Sequence, residues 1–298
     1  MLLPYLHYDV FTRDALAGNQ LAVFLDGRGL VTATMQAIAR EMNFSESVFV
    51  LPAEQDGTER RLRIFTPGVE MPMAGHPTIG SAFAMAHAGV VQPGRPTFVF
   101  GLNVGPVPID LEWAGTQLRF AWMTQARPTF GRIVDGAAVT GAIGLDLRDL
   151  LSNRPLQIVS CGVEYLLVPL RDAASVHRAA TDPGALRRLA AATGSNVPLY
   201  LFAPSPSGAT TLECRMFAPG LGVLEDPATG SAAGPLGCYV VKHGLVNGAD
   251  AQRIVISQGV AMGRPSRIHV AITGTAAAIT TVKVGGEAVL VGEGSLRL

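Results

Sequence analysis

Residues 63–68 read RIFTPG and residues 215–220 read RMFAPG, and this repetition constrains the possible folds more than any other feature of the chain. The two stretches lie 152 positions apart, and at that offset Thr58 meets Thr210 and Pro52 meets Pro204 without a gap. Moving forwards with a two-residue gap, HPTIGSA at 76–82 falls against DPATGSA at 226–232. A chain that repeats itself once builds the same supersecondary unit twice.

The hydrophobic periodicity agrees. Met35, Ile38, Ala39 and Met42 have the spacing of one helix face, with Thr32 or Thr34 as N-cap. The second half offers Leu186, Leu189 and Ala190 in ALRRLAAATG, closed by Gly194. Each helix leads into an apolar strand, SVFVLP or PLYLFAP. Each RxFxPG strand and its turn precede a helix of small residues, IGSAFAMAHAG or SAAGPLGCYVVKHG. Each half thus reads helix, strand, strand, loop, helix. PVPIDLEWAGTQLRFAWM predicts a hairpin across an Ala-Gly turn. Pro and Gly in QARPTFG break the pattern, which predicts halves at 1–124 and 132–281 joined by a linker at 125–131.

At 298 residues there is room for two domains, each with a real core. Charged residues are only 15 % of the chain against 34 Gly and 20 Pro, which predicts a mixed α/β protein of many short elements. Lys plus Arg and Asp plus Glu both number 23 and no basic run occurs, so neither nucleic acid nor a membrane surface is expected as a partner. Three cysteines without a CxxC pair suggest neither a disulfide framework nor a zinc site and fit a reducing cytoplasm. The start MLLPYLHYDVF lacks a basic region, and His7 and Asp9 interrupt it, so no signal peptide is expected. No apolar run approaches the length of about 18 residues that a spanning helix needs.

Within NFSESVFVL, residues 43–51, strand alternation puts Glu46 on one face with Phe44, Val48 and Val50. A lone Glu in a strand ordinarily reaches water at an edge. The repeat gives another reading, because two related halves create a cleft, a favoured place for small-molecule sites. The helices after HPT and DPATG would present their N-termini there, and unpaired N–H groups with the helix dipole suit a carboxylate or phosphate. At the 152 offset Glu46 faces Pro198, so only one half supplies the acid. His76 against Asp226 would orient a polar group of the substrate or exchange a proton with it. Simple capping of the following helices is the plainer alternative.

Other chemistries lack their patterns. Ser231 in TGSAAG is not a GxSxG elbow, and Cys161 in SCGVE reads as a packed small residue. The six histidines show no HExxH spacing, and no GxGxxG or P-loop occurs, so neither a metal nor a nucleotide cofactor is expected. Arg264 in GRPS reads as an ordinary surface or inter-strand arginine.

Six blocks together, GNQLAVF at 18–24, NFSESVFV at 43–50, RIFTPGVEMPMAGHPTIGSA at 63–82, EDPATGSAAG at 225–234, QGVAMGRPSRIHV at 258–270 and VKVGGEAVLVGEG at 282–294, closely resemble the phenazine biosynthesis PhzF-like isomerase family. The resemblance implies a diaminopimelate epimerase-like α/β fold of two pseudo-symmetric halves. Each would be a curled, mostly antiparallel sheet around a central helix, the tail 282–298 completing the first, with the site between them. It further implies a cofactor-free, homodimeric isomerase, like the one that acts on trans-2,3-dihydro-3-hydroxyanthranilate, in which a glutamate shuttles a proton between carbons. That glutamate falls on Glu46, and the family's histidine, aspartate and serine fall on His76, Asp226 and Ser231. Gly75, Pro77, Thr229, Gly230 and Ser231 would then hold a small carboxylate substrate.

Two departures stand out. Gln20 follows Gly18 and Asn19 where the family commonly has proline. Ala74-Gly75-His76 and Pro227-Ala228-Thr229 occupy the loops where epimerases and racemases of this fold carry a cysteine each. A carboxylate among apolar neighbours is expected to have a raised pKa, which suits a group that takes and returns a proton. A catalytically silent carboxylate-binding protein on the same fold is the alternative, but such a protein would have no need of Glu46 as proton donor.

Overall fold

The computed structural model describes residues 1–193, 197–218 and 223–298. It divides into two compact units, Met1–Gln125 with Lys283–Leu298, and Ala126–Val282. The expected helix stop Gly194 and the last two residues of RMFAPG, Pro219 and Gly220, lie outside the described residues.

The first unit contains β1 (Leu2–Val10), β2 (Asn19–Phe24), α1 (Thr32–Met42), β3 (Glu46–Pro52), β4 (Arg60–Phe65), β5 (Glu70–Met71), α2 (Gly75–His87), β6 (Thr97–Leu102), β7 (Gly105–Ala114) and β8 (Gln117–Gln125). The second contains β9 (Thr129–Val134), α3 (Gly136–Ala142), β10 (Leu156–Ser160), β11 (Glu164–Pro169), α4 (Ala173–Arg178), α5 (Pro183–Thr193), β12 (Leu199–Pro204), β13 (Leu212–Ala218), β14 (Val223–Asp226), α6 (Gly230–Lys242), β15 (Ile254–Gln258) and β16 (Ser266–Thr275). Strand β17 (Ala278–Gly286) spans the boundary, and β18 (Ala288–Arg297) belongs to the first unit. β9 begins inside the 125–131 stretch, so that stretch is partly strand.

The two sheets follow one plan. In the first unit the strand order is β18-β1-β2-β3-β4-β6-β7-β8, with β2–β3 and β4–β6 parallel and the other pairs antiparallel. In the second it is β9-β10-β11-β12-β13-β15-β16, with β11–β12 and β13–β15 parallel and the rest antiparallel. Parallel neighbours need a crossover, and α1, α2 and α6 supply three of them. Helix α2 touches β1, β2, β3, β8 and β18, so the sheet curls around it. Helix α6 likewise touches β10, β11 and β16. Every residue of α2 from Gly75 to Met85, and of α6 from Gly230 to Val241, is buried. A helix that is apolar on all sides has to be enclosed in this way.

The repeated RxFxPG stretch gives both units the same structural joint. Arg63 on β4 forks onto Glu70 (2.8 and 2.6 Å), and its guanidinium lies 5.2 Å from the Phe65 ring. Arg215 on β13 forks onto Glu225 (2.7 and 2.8 Å), 4.8 Å from the Phe217 ring. Register is kept as well, with Phe49 opposite Arg63 and Leu201 opposite Arg215.

The sequence alignment fails beyond this joint. The two enclosed helices have equal lengths and start at Gly75 and Gly230, an offset of 155. The strand pairs agree, since Met71 lies opposite Ile64 and Asp226 opposite Met216. The structural counterpart of His76 is therefore Ser231, and that of Asp226 is Met71. The shared Gly-Ser-Ala triplet is misleading because it starts α6 but lies mid-helix in α2. A smaller correction concerns α1, whose N-cap is Val31 without a side-chain cap, because the Thr32 hydroxyl accepts instead from Arg63 (3.0 Å).

Candidate active site

In the first unit, the parallel strands β2 and β3 and the helix α2 bring their N-terminal ends together. Leu21 lies opposite Glu46 in the strand pair, so Glu46 is the first residue of its strand and reaches the start of α2. Its Oε2 is 3.6 Å from His76 Nε2, and the side chains are 14 % and 3 % exposed. The other ring nitrogen, Nδ1, is 3.1 Å from Asn19 Nδ2. Burial pushes the His76 pKa down to about 3, against a smaller opposing pull from the Gln20 backbone, so the ring is neutral at neutral pH. The N-cap of α2 is Ala74, which offers no side-chain cap, so His76 is not a capping residue. Pro77 follows in the first turn, where the N–H that proline lacks would have no helical partner.

In the second unit the loop before α6 is bolted in place. Asp226 accepts from the Thr229 hydroxyl (2.6 Å), and Thr229, the N-cap of α6, gives that helix no side-chain cap. Gln258 donates to the Asp226 carbonyl (2.7 Å) and to Thr229 Oγ1 (2.9 Å), while its own oxygen accepts from the Thr229 N–H (3.2 Å) and the Tyr200 hydroxyl (2.9 Å). Ser266 donates to the Pro227 carbonyl (2.9 Å). Gly259, at φ 78°, passes so close that a Cβ there would lie 2.5 Å from the same carbonyl oxygen, which excludes any larger residue. At the second position of the helix, Ser231 Oγ is 2.7 Å from the Tyr165 hydroxyl. Gly230 is the first residue of α6.

Of the residues singled out from sequence, Glu46, His76, Gly75 and Pro77 meet in the first unit, and Asp226, Thr229, Gly230 and Ser231 meet in the second. Sequence reasoning missed Asn19, Gln258 and Tyr165. Asn19 and Gln258 stand inside the GNQ and QGVAMGRP blocks and were within reach, whereas Tyr165 carries no motif. No cysteine lies at either helix start. Cys161 and Cys238 face each other in the core with their sulfurs 3.9 Å apart, and Cys214 is buried on β13. Contact with Cys238 and burial push the Cys161 thiol up, and burial raises that of Cys214, so neither is poised as a nucleophile. Among the described residues no three His, Cys, Asp or Glu side chains gather as a metal-holding group, and no helix is long and apolar enough to cross a membrane.

The family model described as phenazine biosynthesis-like protein matches residues 8–294. The chain belongs to that family. A trans-2,3-dihydro-3-hydroxyanthranilate isomerase of Pseudomonas aeruginosa is 35 % identical over 97 % of this chain and 98 % of its own. An uncharacterized isomerase of Mesorhizobium japonicum is 38 % identical over 98 % of both. The crystal structure of a PhzF-family phenazine biosynthesis protein of Bacillus anthracis superposes with a TM-score of 0.87 at 25 % identity, covering all of both chains. This protein is therefore an isomerase of the PhzF family with a diaminopimelate epimerase-like fold.

Proposed function

We propose that this PhzF-family isomerase moves a proton between two carbons of a small cyclic or unsaturated carboxylate, with Glu46 as both base and acid. The observation that carries the reading is a carboxylate at the start of a strand, shielded from water and set 3.6 Å from a buried, neutral imidazole. Glu46 takes a proton from carbon, the C–H electron pair enters the adjoining unsaturated system, and the double bond shifts. The carboxylic acid so formed returns the proton to a second carbon, so atoms and electrons balance without a co-reactant. His76, being neutral, serves as a polar partner and not as a charged acid. The start of α6, whose backbone the Gln258 clamp fixes, is suited to hold a carboxylate. The name of the Pseudomonas relatives supports a substrate resembling trans-2,3-dihydro-3-hydroxyanthranilate.

Incubated in D2O with that compound or a related cyclic amino acid, and without added metal, nucleotide or thiol, the protein is expected to produce a positional isomer. Inversion at one stereocentre with no double-bond shift would refute the single-base reading. Binding without turnover across a panel of such carboxylates would point to the silent binding protein instead.

A further inference from the structure

We propose that Asn19 is a positioning residue that holds His76 in its Nε2–H tautomer, so that the imidazole faces Glu46 as a hydrogen-bond donor. The inference rests on the reading of Glu46 as the reacting carboxyl, but its geometry stands on two contacts and the neutrality of the ring between them. The Asn19 amide nitrogen, 3.1 Å from His76 Nδ1, can only donate, so Nδ1 must present its lone pair. The buried ring is neutral and carries one proton, which is left to Nε2. That nitrogen lies 3.6 Å from Glu46 Oε2, and a donor therefore meets an acceptor.

The opposite amide orientation fails on the same geometry. With Oδ1 towards the ring, the proton would move to Nδ1, and a bare Nε2 lone pair would confront the Glu46 carboxylate. Two acceptors facing each other in a water-poor interior repel strongly. Asn19 is itself held in place, 1 % exposed at the first position of β2 opposite Val10. The backbone before it fits only because residue 18 is glycine, at φ 66°, where a Cβ would lie 2.4 Å from the Val10 carbonyl oxygen. The GNQ stretch thus places an amide against a histidine 57 residues further along the chain. A neutral N–H donor can steady the Glu46 carboxylate, or charge building on the substrate, and it cannot compete with Glu46 for the substrate's proton.

The test is the ¹⁵N NMR spectrum of histidine-labelled protein near neutral pH, with the His76 signals assigned by their loss in His76→Gln. The wild type is expected to show a pyrrole-type, protonated Nε2 and a pyridine-type Nδ1. In Asn19→Asp the neighbour can only accept, and the proton should move to Nδ1, with kcat falling by about 10²-fold, the lower end of general acid–base effects, and KM changing far less. A wild-type spectrum with the proton on Nδ1 overturns the proposal whatever the variants do. So does an Asn19→Asp protein whose Nδ1 stays pyridine-type. These outcomes are separable from the proposed activity, since an active Glu46→Gln variant would refute the proton shuttle and leave the wild-type tautomer as it is.

Discussion

The starts of α2 and α6 have the same backbone plan but differ in how their polar groups are paired. Around α6, Asp226, Thr229, Gln258 and Tyr200 form a closed set of hydrogen bonds, and Ser231 is tied to Tyr165. Around α2, His76 Nε2 makes no hydrogen bond, and the carboxylate beside it stands just beyond hydrogen-bond range. Buried polar groups are nearly always satisfied, so the exception needs a reason. A satisfied network fixes geometry and suits the recognition of a fixed group such as a carboxylate. An imidazole nitrogen without a hydrogen bond can change partners, as proton transfer requires. Duplication thus supplied two equal helix starts, and side-chain replacement gave them different polar partners.

The sharpest way to break this division is to compare one variant from each unit. Glu46→Gln should reduce kcat by about 10²–10⁴-fold with little change in melting temperature. Ser231→Ala should act mainly on KM, by roughly tenfold for one hydrogen bond to a charged group. Steady-state kinetics decides the matter, and equal losses of kcat in both would erase the distinction.

The shared joint provides the control. Arg63→Met and Arg215→Met should each cost about 1–3 kcal/mol of stability in urea titrations, because each leaves a half-buried glutamate without its hydrogen-bonded partner. Similar losses would support one joint used twice. A large loss in one unit and none in the other would mean that the repeat has diverged in energetics as well as in chemistry.

The last expected effect is the acid sensitivity that His76 gives the first unit. His76 is held neutral down to a pKa of about 3, against 6.5 for an ordinary histidine. Between those values the unfolded chain binds a proton that the folded protein does not, so stability falls as pH is lowered through that window. The slope is about 1.4 kcal/mol per pH unit. Urea midpoints at pH 7 and pH 5 should diverge in the wild type, and the difference should shrink in His76→Gln. An unchanged difference would show that the ring is not the group responsible.

Much of this was legible in the chain. The two RxFxPG stretches marked the duplication because an arginine, an aromatic ring and a tight turn must recur together to rebuild the Arg–Glu fork. Strand alternation made Glu46 conspicuous because a period of two leaves no doubt about which neighbours share its face. The pairing of His76 with Asp226 was misleading because short runs of small residues recur wherever a helix is tightly enclosed, and register is set by strand pairing and not by identity. Tyr165 was illegible because an aromatic residue in an apolar strand looks like core until its hydroxyl is seen 2.7 Å from Ser231.

By itself the sequence determined what local chemistry and periodicity can determine: two related halves, their strands and enclosed helices, one carboxylate where apolar residues belong, and no thiol at either helix start. Tertiary structure alone decided the partners. Asn19, Glu46 and His76 are far apart in the chain, as are Thr229 and Gln258, and their contacts depend on which strand ends a curled sheet brings together. Side-chain pairing is a property of register and packing distances of a few ångströms, and a linear pattern with periods of two and 3.6 residues carries no record of either.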